Sequence, residues 1–122
     1  MEDIRNITDR VLSSAFSDVL VCCEDNTDVD ETDTYIIYSI EYEHNTAYAN
    51  GKPSRRASVV NIDLITKHRN NKMEYIPKIE QAMLDGGFTM KRGQVDLEMD
   101  KNEKKEQYYR TNMQFLLERI MA

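Results

Sequence analysis

The stretch Tyr35-Ile36-Ile37-Tyr38-Ser39-Ile40-Glu41-Tyr42 decides the fold. Ile36, Tyr38, Ile40 and Tyr42 share one face and Ser39 and Glu41 the other, the period-two pattern of a half-buried strand. Residues 58–66 repeat it, with Val60, Ile62 and Leu64 against Asn61 and Asp63, although Val59 and Ile65 make the second face partly apolar. Between the two lie Asn45, Asn50, Gly51, Pro53 and Ser54. These are too many breakers for regular structure and too many residues for a tight turn, so residues 43–57 are expected to project as a loop.

Upstream, Ile4, Ile7, Val11, Leu12, Ala15, Phe16, Val19 and Leu20 recur at three and four, which predicts an amphipathic helix over residues 3–21. Downstream, Asn70 or Asn71 can cap a second helix whose apolar face is Met73, Ile76, Ile79, Ala82 and Met83, stopped by Gly86 and Gly87. Pro77 must sit in a first turn beginning near Tyr75 or interrupt a longer helix. Residues 88–90 and 95–99 read as extended, with Gly93 marking a bend or bulge, and residues 100–105 as a charged turn. The last segment matches a helix through Tyr109, Met113, Leu116, Leu117 and Ile120, and a strand through Tyr109, Thr111, Met113, Phe115 and Leu117. A strand is favoured because the extended segment before it needs a partner. The expected architecture is a single α+β domain over residues 1–122, in the order helix-strand-strand-helix-strand-strand, with helices packed on a mainly antiparallel sheet.

At 122 residues, with 40% apolar and 31% charged, the chain has room for one folded core. It has no apolar run of membrane-spanning length, and Glu2 and Asp3 stand where a signal peptide would carry positive charge, so a soluble intracellular protein is expected. Cys22 and Cys23 are its only cysteines, and with His44 and His68 they make a poor ligand set, so no metal is expected. Two thiols at the buried end of a helix, in a reducing compartment, is the simpler expectation. No phosphate loop, nucleophile elbow or zinc motif is present, so neither catalysis nor a cofactor is expected.

Net charge is −6, which disfavours specific nucleic-acid binding. The imbalance is local. Glu24, Asp25, Asp28, Asp30, Glu31 and Asp33 form an acidic loop within residues 22–34, and removing these six from the chain's 22 acids leaves 16 against 16 bases. The spacing of Asp28, Asp30 and Thr32 imitates the start of a calcium loop, but Asp33 and Ser39 replace its glycine and glutamate. Asn6-Ile7-Thr8 and Arg55-Arg56-Ala57-Ser58 match glycosylation and kinase patterns only at chance level. Lys52, Arg55 and Arg56 are candidates to meet an acidic loop on a neighbouring copy, head to tail, and such contacts close into rings. Tyr48, an aromatic in a polar segment beside Asn50, is a further interface candidate.

The residues resemble a known group. A tyrosine-rich strand, a segment carrying Ala47-Tyr48-Ala49-Asn50, and the strand Val60-Asn61-Ile62-Asp63-Leu64-Ile65-Thr66-Lys67 look like the tail-completion and tail-terminator proteins of long-tailed bacteriophages. A helix ending Leu84-Asp85-Gly86-Gly87-Phe88 and a closing Tyr108-Tyr109-Arg110-Thr111-Asn112-Met113-Gln114-Phe115 strand are similar to the same group, which includes head–tail joining proteins. The resemblance follows element order along the whole chain and contains no strict chemical signature. It implies a structural subunit of the virion tail or neck, assembled in the host cytoplasm as a homo-oligomeric ring, commonly a hexamer, between the tail tube protein and the head connector. DNA would pass through such a ring, and an acidic lining would repel its phosphates. The alternative expectation is a monomeric or dimeric intracellular binding or adaptor module that uses the sheet face and the Tyr48 segment.

Overall fold

A strand buried on both faces sits at the centre of a sheet, and residues 59–66, nearly all apolar or hydrogen-bonding, make that strand here. The computed structural model of the chain describes residues 1–23, 34–67, 72–101 and 107–121. Its elements in chain order are α1 (Ile4–Ala15), β1 (Leu20–Cys23), β2 (Thr34–Ala49), β3 (Lys52–Thr66), α2 (Lys72–Asp85), β4 (Thr89–Lys101) and β5 (Gln107–Ile120). Among the described residues they form one sheet, ordered β1-β2-β3-β5-β4. Every pairing is antiparallel except the parallel pair β1–β2. The α+β class and the mainly antiparallel sheet agree with the sequence reading, and β1 is an additional strand.

β1 corrects the length of the first helix. Asp3 caps α1 by accepting a hydrogen bond from the Arg5 backbone at 2.9 Å. Ile4, Thr8, Leu12 and Phe16, four residues apart, are all buried. At Phe16 the backbone turns extended, and residues 17–19 lead into β1, which pairs Leu20 through Cys23 with Tyr35 through Tyr38. Residues 19–23 are apolar throughout, so they fit a helical row and a two-faced strand equally well. As a strand they pack Val21 and Cys23 against the main core and Cys22 against Ile37 and Ile65 on the opposite face. The expected thiols at a helix end are thus thiols in a strand, with Cys22 buried.

The second correction concerns residues 43–57, which are not an irregular loop. β2 and β3 continue to Ala49 and Lys52 as a hairpin, closed by Asn50 and Gly51 at φ 52° and 76°. Two successive positive φ values are the mark of a type I′ turn, which Asn-Gly favours. The breakers are absorbed by irregular register between Ile40 and Tyr42, Asn45 and Ala47, and Ala47 and Tyr48, and by Pro53 lying next to the turn.

α2 takes the longer alternative, with Pro77 inside it. Proline leaves the carbonyl of Met73 without its helical donor, and Met73 is 76% exposed, where water can replace that bond. Met73 therefore does not belong to the apolar face, whose buried members are Ile76, Ile79 and Met83. The helix ends in a Schellman motif. Phe88 N–H donates to Met83 at 2.9 Å and Gly87 N–H to Leu84 at 3.0 Å, with Gly87 at φ 93°. Phe88 then enters the core beside Met83. Asn70 and Asn71, the proposed caps, and His68 lie outside the described residues, as does most of the charged turn at residues 100–105.

The closing segment is a strand. Thr111, Met113 and Phe115 are buried on the helix-covered face, while Arg110, Asn112 and Gln114 alternate onto the other. In β4 the register slips between Arg92 and Val95, around Gly93, as the expected bulge. Both helices cover one face of the sheet, over Ile36, Tyr38, Val60, Ile62, Leu64, Met113 and Phe115. Each fully buried side chain of this size contributes about 1.5–3 kcal/mol by leaving water. Among the described residues, no helix covers the opposite, open face.

Candidate interaction surface

On the open face the strands present side chains that bond to one another across the sheet. Asn61 donates to Glu41, and Gln114 donates to Asn61 at 3.0 Å, a row crossing β2, β3 and β5. One turn of the pleat away, Asp63 accepts from Arg110 Nε at 3.0 Å and from Asn112 Nδ2, while Asn112 Oδ1 accepts from Arg92 on β4. Polar groups on a half-buried sheet stay there only when satisfied, and here each strand supplies the partner of the next. Below this ladder Cys22, Ile37 and Ile65 form a small apolar cluster, and Tyr35 packs on it. Above it Lys91 lies 4.5 Å from the centroid of the Tyr42 ring, which also stacks on His44 at 5.3 Å. Val59 and Leu116 stand between Tyr42 and β4 in the register, which accounts for the complete burial of Val59 on a face where no described helix lies.

Of the interface candidates, Tyr48 is 64% exposed near the hairpin tip, Asn50 forms the turn, and Lys52 is exposed where β3 begins. Arg55 and Arg56 do not form one basic patch with Lys52. Successive strand residues point to opposite faces. Arg55 meets Glu118 at 3.6 Å on the open face, where Thr46 also donates to Glu118 at 3.2 Å. Arg56 turns to the helix-covered face, where its Nη2 lies 2.8 Å from Glu43. Glu43 also accepts from Ser58 Oγ at 2.8 Å and lies 3.8 Å from Arg119, the residue paired with Arg56 across β3 and β5. The Nε atoms of both arginines are buried and have no hydrogen-bond partner among the described residues. Arg119 additionally donates to the backbone carbonyl of Glu2, which ties the N-terminus over the cluster. Asp25, Asp28, Asp30, Glu31 and Asp33 lie outside the described residues.

Sequence reasoning missed the Glu43 cluster and most of the open-face ladder. Asn61 and Asp63 were legible as a polar row, and following the strand reading of β5 would have added Arg110, Asn112 and Gln114. Nothing local signals the Glu43 cluster, because it depends on a register set through the hairpin.

Two buried ionisable groups, Tyr38 on the helix-covered face and Cys22 on the opposite one, are perturbed. Burial raises the Tyr38 phenol well above the ordinary tyrosine value, reinforced by its hydrogen bond to Asp9 at 2.9 Å. Burial also raises the Cys22 thiol, with smaller contributions from Cys23 and Asp9, which weakens it as a nucleophile. A groove of about 510 Å³ runs between α2 and β4, lined by Met73, Ile76, Pro77, Gln94 and Asp96. Among the described residues no group of three His, Cys, Asp or Glu side chains is arranged to hold a metal ion, and no helix is long and apolar enough to cross a membrane. No protein-family model and no curated protein matches the chain.

Proposed function

We propose that this protein is a structural subunit of a bacteriophage or prophage virion, a tail terminator or tail-completion protein that forms a homo-oligomeric ring at the head–tail junction. The resemblance in element order, described above from the sequence, motivates the reading. The observation that carries it is the hairpin. β5 pairs with β3 only as far as Arg55, so the tip with Tyr48, Asn50 and Lys52 extends beyond the third strand. A two-stranded ribbon is marginal alone in water, and an exposed tyrosine at its end suits it to dock on another subunit. In this reading no residue is catalytic and no cofactor is needed. The ring works by geometry, six subunits being the expected number, between the tail tube and the head connector. The acidic run at residues 24–33 then limits adhesion of passing DNA.

Light scattering over a wide concentration range, with negative-stain images at the highest, tests this. Rings of one fixed subunit number are the expected result, and a monomer at every concentration opposes it. A second reading, a monomeric or dimeric binding or adaptor module, is favoured by the groove between α2 and β4 with its exposed Met73. Ligand-bound monomers or dimers with no rings would be its mark.

A further inference from the structure

Glycine follows an acid or amide side chain at two places in the chain, Asn50-Gly51 and Asp85-Gly86. At either place the glycine nitrogen can attack the preceding side-chain carbonyl carbon and close a five-membered imide, because glycine has no Cβ to obstruct the approach. The fold separates the two. At the end of α2 the Gly86 N–H donates to the Ala82 carbonyl at 2.9 Å, and Gln81 donates to the Asp85 carboxylate at 2.8 Å. At the hairpin tip the Asn50 side chain and the Gly51 N–H have no hydrogen-bond partner among the described residues. Both residues are exposed, and a methyl group added at Gly51 would meet no atom within 4 Å. We propose that Asn50 is a self-modification site, which loses its amide through an imide with Gly51 and converts the hairpin tip to aspartate and isoaspartate.

The Gly51 nitrogen forms a bond to Asn50 Cγ, the Cγ–Nδ2 bond breaks, and Nδ2 leaves as ammonia with the Gly51 proton. Water then opens the imide. Addition at Cγ breaks its bond to the Gly51 nitrogen and restores the main chain as aspartate. Addition at the main-chain carbonyl carbon of Asn50 breaks the old peptide bond and leaves the chain running through Cγ as isoaspartate. The attack needs rotation about the Asn50 backbone and side chain, and the tip permits it. β5 stops opposite Arg55, and a two-stranded ribbon beyond a third strand opens readily. Aspartate still suits the turn, since Asp-Gly also favours type I′. Isoaspartate does not, because one extra backbone carbon separates Ala49 from Lys52, and the pairs Ala49–Lys52 and Tyr48–Pro53 lose their register. Either product adds a negative charge beside Lys52. This chemistry belongs to the subunit and does not depend on the ring reading.

Timed peptide mapping tests the assignment. The whole protein is kept dilute at mildly alkaline pH, folded in one series and unfolded in guanidinium chloride in the other. Mass spectrometry follows the amide-to-acid conversion at Asn50, and an isoaspartyl methyltransferase labels isoaspartate at both sites. Folding is expected to leave the Asn50 rate within about tenfold of the unfolded rate, because the tip opens locally, and to suppress isoaspartate at Asp85. Asn50→Gly, which keeps a Gly-Gly turn, should carry no isoaspartate at the tip while its thermal melt stays that of the parent. An Asn50 rate slowed by more than about tenfold on folding would overturn the proposal, since the turn would then protect the amide. Isoaspartate at Asp85 and none at Asn50 in the folded protein would overturn it as well.

Discussion

Replacing Glu43 by alanine should destabilise the protein although the residue belongs to no sequence motif and to no apolar core. The substitution removes the acceptor of Ser58 Oγ and of Arg56 Nη2, both at 2.8 Å, and the carboxylate 3.8 Å from Arg119. Two guanidinium groups on directly paired residues are left facing each other, each already holding a buried Nε with no hydrogen-bond partner among the described residues. Breaking a fully buried ion pair costs about 3–5 kcal/mol. The side chains of Glu43, Arg119 and Arg56 retain 22%, 16% and 37% exposure, so water offsets part of that loss. With that discount the expected cost is about 2–3 kcal/mol, and about 1 kcal/mol for Glu43→Gln, which keeps one acceptor. Urea unfolding at neutral pH measures it, with an unchanged slope showing that the folded and unfolded states keep their compactness. A double-mutant cycle with Arg56→Ala should return a coupling of about 1–2 kcal/mol. A cost below about 0.5 kcal/mol for Glu43→Ala would refute the reasoning, since ordinary surface substitutions fall in that range. The cluster also bears on assembly experiments. Reversing Arg55 and Arg56 together sets a new carboxylate against Glu43, so lost assembly would report a damaged fold. Arg55→Glu alone, at a site more than half exposed, is the interpretable variant.

Tyr38 gives the pH prediction. Its folded pKa is raised above the unfolded value of about 10, so its contribution is complete below pH 10 and is lost as pH rises through the folded value. Tyr38→Phe should cost about 1–2 kcal/mol at pH 7, through the lost bond to Asp9, and should flatten the alkaline decline seen in denaturant melts between pH 9.5 and 11. Gly86→Ala places a methyl group 2.7 Å from Val11 Cγ2, where α2 meets α1, and should lower stability by about 1–3 kcal/mol in thermal melts. Adding Val11→Ala should recover part of that loss. Timed reaction with a thiol reagent at pH 8 should resolve a slow Cys22, buried with its pKa raised, from a faster Cys23, which is only partly buried.

The α+β class, both helices and four of the strands were legible because their apolar residues keep one period over long stretches. Reading failed where two periods coexist. Val19, Leu20 and Val21 continue the α1 row, yet from Leu20 the chain builds a two-faced strand, and only the parallel edge offered by Tyr35 to Tyr38 decides between the two. In the hairpin, Pro53 and Ser54 outweighed Asn50-Gly51 in the sequence reading, although Asn-Gly flanked by Ala47-Tyr48 and Lys52 carries the stronger turn signal. A strand with no neighbour on one side tolerates irregularity that a central strand would not, and among the described residues β2 has no partner on its outer side beyond Tyr38. Arg55 and Arg56 looked like one patch because adjacency along the chain conceals alternation across a strand. Met73 kept the helical period yet fell on the exposed side, because the buried row of α2 is set by Ile76, Ile79 and Met83.

The central claim is that the chain closes on itself into a ring of fixed size. Sedimentation velocity across a hundredfold concentration range tests it most directly. The account predicts a monomer in reversible exchange with a single large species whose mass is one integer multiple of the subunit, six being the expected number. A monomer alone at all concentrations, or an unbounded series of growing polymers, would contradict it.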